Sequence, residues 1–220
     1  MPTAAKDFRL NRVFSEPLTS FLLRLPITPN QVTLLSLACG ILAGFLFARG
    51  TYFPSLWGAA CYELACVLDN CDGEIARAKN LGSVFGGWLD IGVDFLTDLS
   101  LFIGVGYSVL KNGAEPKFVA GALGLCLFGT LMHCSLVVLE KYRGFGPAEF
   151  DVPHPAVKYR ERFFFKFFDA LREGDASWLV VAFAAAGKAS YLLWFGAGYL
   201  QVLWVSALLL NFKHLFGTKK

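Results

Sequence analysis

"LDNCDGEIARAKNLGSVFGGWLDIGVD", residues 68–94, places Asp69, Asp72, Asp90 and Asp94 in an otherwise greasy chain. Of its 220 residues, 55% are hydrophobic and only 17% are charged. Soluble domains carry about a quarter charged residues, so the composition belongs to the membrane class. The length suits a bundle of about six spanning helices of roughly 20 residues each.

Outward from that stretch, apolar runs predict spans at 30–49, 53–77, 83–110, 117–141, 174–190 and 192–213. Thr28 can cap the first, with Pro29 at its first position, where a missing N–H costs nothing. Ahead of it, Leu10, Val13, Phe14, Leu18, Phe21, Leu22 and Leu25 recur at three- and four-residue steps. Arg9, Arg12, Glu16 and Ser20 fall between them, the pattern of an amphipathic helix lying on a membrane surface. A second amphipathic helix, basic and rich in phenylalanine, is expected before the fifth span. The fold class is therefore all-α: a polytopic six-helix bundle over 29–216 with an amphipathic juxtamembrane segment at 1–28.

Sixteen of the twenty Lys and Arg residues fall on one side of this arrangement, which makes that side cytoplasmic. Both termini and the turn joining spans two and three lie there, so the four aspartates stand at the cytoplasmic mouth. Residues 1–28 contain no apolar core of a cleavable signal peptide. The basic residues mark a bilayer face and not a nucleic-acid surface. Lys158, Arg160, Arg162, Lys166 and Arg172 form a run suited to anionic lipid, with a phosphorylated acceptor as the minor reading. Six cysteines form no CxxC pair and three histidines no zinc spacing, so buried free thiols are expected and a disulfide framework is not.

Asp69 and Asp72 are three residues apart, Asp90 and Asp94 four, and each pair shares a helix face. A turn between the two helices brings them together antiparallel and lets all four carboxylates converge. Four anions at a bilayer edge repel one another and are costly to desolvate; a divalent cation relieves both. Oxygen donors without Cys or His suit Mg²⁺ or Mn²⁺, one ion or two, which also take substrate phosphates as ligands. Gly73, Gly86 and Gly87 leave backbone bare for close approach, and Arg77 offers a fork for a phosphate. Together these residues describe a phosphoryl-transfer site.

The spacing Asp69-x2-Asp72-Gly73-x2-Ala76-Arg77-x8-Gly86-x3-Asp90-x3-Asp94 resembles, without a departure, the signature of the CDP-alcohol phosphotransferase family. That resemblance implies cleavage of the pyrophosphate of a CDP-linked alcohol, transfer of the substituted phosphoryl group to a second alcohol, and release of CMP. Asp69, Asp72 and Asp90 would be metal ligands, and Asp94 a ligand, the general base on the acceptor hydroxyl, or both. Gly73, Ala76, Arg77 and Gly86 would hold the CDP portion, with Asn30 and Thr33 of "TPNQVT" closing the nucleotide pocket. The family also implies a bilayer home, a homodimer, and at least one lipid substrate in phospholipid biosynthesis; the lack of a targeting peptide fits a prokaryotic inner membrane. "LDNCDGEIAR" looks locally closer to the inositol-phosphate-using branch, with CDP-diacylglycerol or a CDP-polyol as donor; phosphatidylglycerophosphate or phosphatidylserine synthesis, or a diacylglycerol-accepting choline or ethanolamine type, are the alternatives.

Blander readings compete. Arg77 and Lys79 could neutralise part of the acidic cluster, though not all of it. An ion or metal transporter would string its acids through the bundle, whereas these gather at one end. Glu63 and Asp98 lie deeper, where either an acceptor pocket or a helix-to-helix hydrogen bond suits them. Glu74 is expected to face water, and His133 to be a hydrogen-bonded interior residue.

Overall fold

The computed structural model describes residues 10–144 and 176–216, and those residues are helical, with no strand among them. The elements are α1 (Leu10–Leu22), α2 (Pro29–Phe47), α3 (Tyr52–Ala78), α4 (Val84–Lys111), α5 (Pro116–Gly144), α6 (Ser177–Ala185) and α7 (Tyr191–Phe216). Pro29–Phe47, Val84–Lys111, Pro116–Leu139 and Tyr191–Leu209 are long and apolar enough to cross a membrane. The 27 residues of α3 span about 40 Å, but that helix carries Glu63, Asp69, Asp72 and Glu74. Of the expected fifth span, the described part is the nine-residue α6. The expected second amphipathic helix and the basic run from Lys158 to Arg172 lie outside the described residues.

α2 begins where the sequence places it. Gln31 N donates to Thr28 Oγ1 (3.4 Å) and Thr28 N to Gln31 Oε1 (2.9 Å), a reciprocal capping box. Its position in the bundle differs from expectation. The sequence places the third helix directly against the fourth, but these two touch little; α2 packs along both. The cause is a row of small residues: Gly40 lies against Thr97, and Gly44 against Ser100 and Gly104. With no side chains between them, the α2 and α4 backbones approach closely. On its other side, α2 is pinned to α3 by Ser36 Oγ donating to the Ala65 carbonyl (3.0 Å). The α3–α4 pair therefore splays away from its shared turn, and α5 packs on α4, α6 on α3 and α7 on α5.

α1 also departs from a simple two-faced helix. Arg12, Glu16 and Ser20 are exposed, as are Val13, Phe14 and Phe21, while Asn11, Ser15 and Thr19 turn inward and are buried. The four-residue spacing of these small polar residues makes a stripe along one face. Asn11 Nδ2 donates to Ser177 Oγ (3.1 Å) and Trp178 Nε1 donates to Asn11 Oδ1 (2.9 Å), so α1 is tied to α6.

This packing gives opposite signs to two identical substitutions. Gly44→Ala pushes a methyl into the α4 backbone and should cost about 1–3 kcal/mol. Gly121→Ala, on an open stretch of α5, should be neutral or gain up to about 1 kcal/mol of helix propensity. Thermal unfolding in detergent should show a lowered midpoint for the first alone; matching shifts would refute the close approach.

Candidate active site

Three helix ends meet at the site. α3 stops in a Schellman motif: Leu81 N donates to the Ala76 carbonyl (2.9 Å) and Asn80 N to that of Arg77 (3.3 Å). Asn80 takes the left-handed conformation (φ 53°) that the motif requires and that asparagine tolerates. Ser83 then caps α4, its Oγ accepting from Gly86 N (2.9 Å). Lys79 Nζ donates to the carbonyls of Leu25 (3.0 Å) and Ile27 (2.9 Å), fastening the turn to the connector before α2. Lys79 thus serves the scaffold and is not aimed at a substrate anion.

The turn returns Asp90 to the two aspartates of α3. Asp69, Asp72 and Asp90 each present a ligand atom, and the three atoms lie within 4.8 Å of one another. Asp72 is buried, and the Thr33 hydroxyl, which also lies 3.1 Å from the Pro29 carbonyl, donates to its Oδ2. One end of α2 thereby orients one carboxylate of α3. Asp69 faces the charges of Asp94, Asp90 and Asp72. The donor set is all oxygen, crowded and partly buried, and so fits a hard divalent cation. Asp94 is not part of the three-oxygen group. Its exposed surface opens, beside Asp69, into a cavity of about 320 Å³.

The residues expected at the nucleotide lie on the same helix ends as the cluster. A Cβ on Gly86 would stand 3.2 Å from Asn30 Oδ1 and 3.1 Å from Ser83 Oγ, so the starts of α2 and α4 meet there. A Cβ on Gly73 would meet Arg77 Nη1 at 3.4 Å, which places the guanidinium over a bare stretch of α3. Arg77 is exposed and Ala76 half-buried. An exposed guanidinium, two glycines and an amide side chain beside the carboxylates suit a charged, flat-ended ligand such as a nucleoside diphosphate.

One neighbour differs from its sequence reading. Glu74 does not simply face water: Ser15 Oγ (2.9 Å) and Thr19 Oγ1 (2.6 Å) donate to its two carboxylate oxygens. Cys71 is buried, with its Sγ 3.7 Å from the Ser15 carbonyl. Asp98 accepts from Tyr62 OH (2.7 Å), and both line the cavity with His133. All six cysteines are free. Sequence reasoning missed Ser15, Thr19 and Tyr62. The polar stripe at four-residue steps was a usable signal for the first two, whereas nothing local marks Tyr62.

With this geometry in place, comparison with known proteins decides the family. The model of the CDP-alcohol phosphatidyltransferase family matches residues 26–154, which include every residue of the carboxylate cluster. The chain belongs to the CDP-alcohol phosphatidyltransferase family. Over 116 residues it is 30% identical to the phosphatidylinositol phosphate synthase of Corynebacterium glutamicum, covering 53% of this chain and 52% of that protein. Over 106 residues it is 39% identical to the bifunctional IPC transferase and DIPP synthase of Rubrobacter xylanophilus, covering 46% of this chain and 23% of the relative. The match thus extends over about half the length of the first curated relative and less of the second. The fold resembles that of Mycobacterium tuberculosis phosphatidylinositol phosphate synthase with CDP-DAG bound. The TM-score is 0.62 at 20% identity, over 89% of this chain and 92% of that one.

The Thr33–Asp72 contact should be measurable as cation affinity. In Mn²⁺ titrations followed by electron paramagnetic resonance, Thr33→Val should weaken binding by about 10–100-fold, as loss of a partner that orients a ligand does. Thr33→Ser should retain it, and Asp72→Asn should lose more than Thr33→Val. An unaltered affinity in Thr33→Val would remove α2 from the site's support.

Proposed function

We propose that the chain is a metal-dependent CDP-alcohol phosphotransferase of phospholipid biosynthesis, acting from the cytoplasmic face of a bilayer. The observation that carries this is the convergence of the Asp69, Asp72 and Asp90 carboxylates, with Asp94 and a cavity beside them and Gly73, Arg77 and Gly86 on the same helix ends. Family membership supports it, as do relatives named phosphatidylinositol phosphate synthase and the related structure with CDP-DAG bound. The donor of this reading is a CDP-linked alcohol, CDP-diacylglycerol by preference. The acceptor is an alcohol, with an inositol-phosphate type suggested by the relatives.

Asp69, Asp72 and Asp90 would hold Mg²⁺ or Mn²⁺. A bound ion there supplies Lewis-acid stabilisation of the negative charge on the donor's diphosphate. Arg77 holds the diphosphate, and Gly73, Ala76, Gly86, Asn30 and Thr33 shape the CDP pocket. Asp94 accepts the proton of the acceptor hydroxyl. The freed oxygen attacks the donor's β-phosphorus, a new P–O bond forms, and the bond from that phosphorus to the bridging oxygen breaks. CMP leaves with the bridging electron pair, and the proton stays on Asp94 until released to water. Asp94 thus serves as base in this reading, and its position outside the three-oxygen group supports that role over ligation.

The remaining features of the reading are architectural. Six spans, counting α3 and a fifth span at 174–190 that contains α6, would make the 29–216 domain. In this reading the charge bias favours both termini and the site on the cytoplasmic side of a prokaryotic inner membrane. A homodimer is the expected assembly, and α1 would rest its exposed Val13, Phe14 and Phe21 in the lipid surface.

The test is CMP release by the purified protein in detergent with Mg²⁺ or Mn²⁺, across CDP-linked donors and alcohol acceptors. CMP should appear with a matched pair, disappear with chelator, and fall by about 10²–10⁴ in kcat for Asp94→Asn while donor KM stays near wild type. Donor binding lost together with turnover in Asp94→Asn would contradict its assignment as the base.

A further inference from the structure

α1 has two unlike faces, and neither its length nor its sequence makes it stable alone. Isolated helices shorter than about 12–15 residues are marginal in water. α1 has 13 residues with Pro17 inside, which removes a backbone hydrogen bond. What covers its two faces therefore decides whether it forms.

The inward face is committed to one stretch of α3. Leu18 and Leu22 pack into the cluster of Val67, Leu68, Cys71 and Ile75. Ser15 Oγ (2.9 Å) and Thr19 Oγ1 (2.6 Å) donate to the two carboxylate oxygens of Glu74, and Cys71 Sγ lies 3.7 Å from the Ser15 carbonyl. Asp69 and Asp72 lie within this same stretch, 67–75. Charge-assisted bonds to both oxygens of Glu74 fix the rotation of that turn of α3, and with it the direction of Asp72 two residues earlier.

The outward face exposes Val13, Phe14 and Phe21, with Arg12 and Arg24 exposed beside them and Glu16 among them. Residues 23–28 alone separate α1 from Pro29, where a helix long and apolar enough to cross a membrane begins. α1 is thus held at the bilayer edge, where apolar side chains flanked by arginines fit a surface of anionic lipid.

We propose that α1 is a lipid-surface strap: seating of its outward face on an anionic bilayer raises the cation affinity of the α3 aspartates through the grip of Ser15 and Thr19 on Glu74. The proposal rests on the metal site read above and adds what regulates it. Glu74 is a positioning residue and not a ligand. Such coupling is reciprocal, so the cation also tightens α1.

The experiment is Mn²⁺ titration by electron paramagnetic resonance, with the full chain in nanodiscs of phosphatidylcholine and phosphatidylglycerol. The outward double variant Val13→Gln/Phe21→Gln removes lipid contact without loss of helix propensity. Phe14 is left intact because its ring packs on Trp178, 5.8 Å between centroids. The double variant should weaken Mn²⁺ binding about fivefold or more. Glu74→Ala should weaken it comparably, and Glu74→Gln, which can still meet both hydroxyls, much less. In the Glu74→Ala background the outward changes should have no further effect. As a second readout, amide exchange of residues 10–22, followed by mass spectrometry, should slow with Mg²⁺ in wild type and not in Glu74→Ala. Unaltered Mn²⁺ affinity in the outward variant, additive losses, or exchange indifferent to Mg²⁺ would overturn the strap. Exchange governed by the ratio of protein to nanodisc instead of by phosphatidylglycerol would give the outward face to a second copy of the chain and overturn it too. Wild type that binds no Mn²⁺ would sink the metal site itself, whereas failure of the strap in a protein that binds Mn²⁺ leaves that site standing.

Discussion

Mutual repulsion of carboxylates at the edge of an apolar bundle is the constraint on which the rest of the structure depends. Asp69, Asp72 and Asp90 stand within ligand distance of one another, an arrangement costly without a cation and useful with one. Rigid supports hold them there. The Schellman turn at Asn80 and the Ser83 cap return α4 at the right height, Lys79 ties that turn to the connector before α2, and Thr33 grips Asp72 from α2. On the far side of α3, Ser15 and Thr19 of α1 hold Glu74. Each support approaches the cluster from a different element, so the helix ends cannot shift independently.

The position of α2 links this constraint to function. Gly40, Gly44 and Gly104 allow close backbone approach, so α2 packs along both acidic helices and they splay. The splayed helices line the polar cavity beside Asp94 and Asp69.

Much of this was legible in the sequence, for identifiable reasons. Carboxylates at three- and four-residue spacing in a greasy chain pointed to a shared helix face and a hard ion, and the cap at Thr28 follows from local backbone chemistry. What was not legible depends on long-range packing. The wedge by α2 arises from glycines that match small residues sixty positions away, a pairing that a single sequence does not display. The inward turn of Asn11, Ser15 and Thr19 was masked by a stronger apolar and basic pattern on the same helix. Tyr62 and Asp98 are brought together across 36 residues, so neither marks the other.

The central claim is that a cation held by these aspartates takes the donor's diphosphate. The most direct measurement is ³¹P relaxation of CDP-diacylglycerol bound to the protein with Mn²⁺. Strong paramagnetic broadening of both diphosphate resonances is predicted in wild type, with its loss in Asp90→Asn while diamagnetic donor binding persists. Broadening that is equal in the two proteins would place the ion elsewhere and contradict the account.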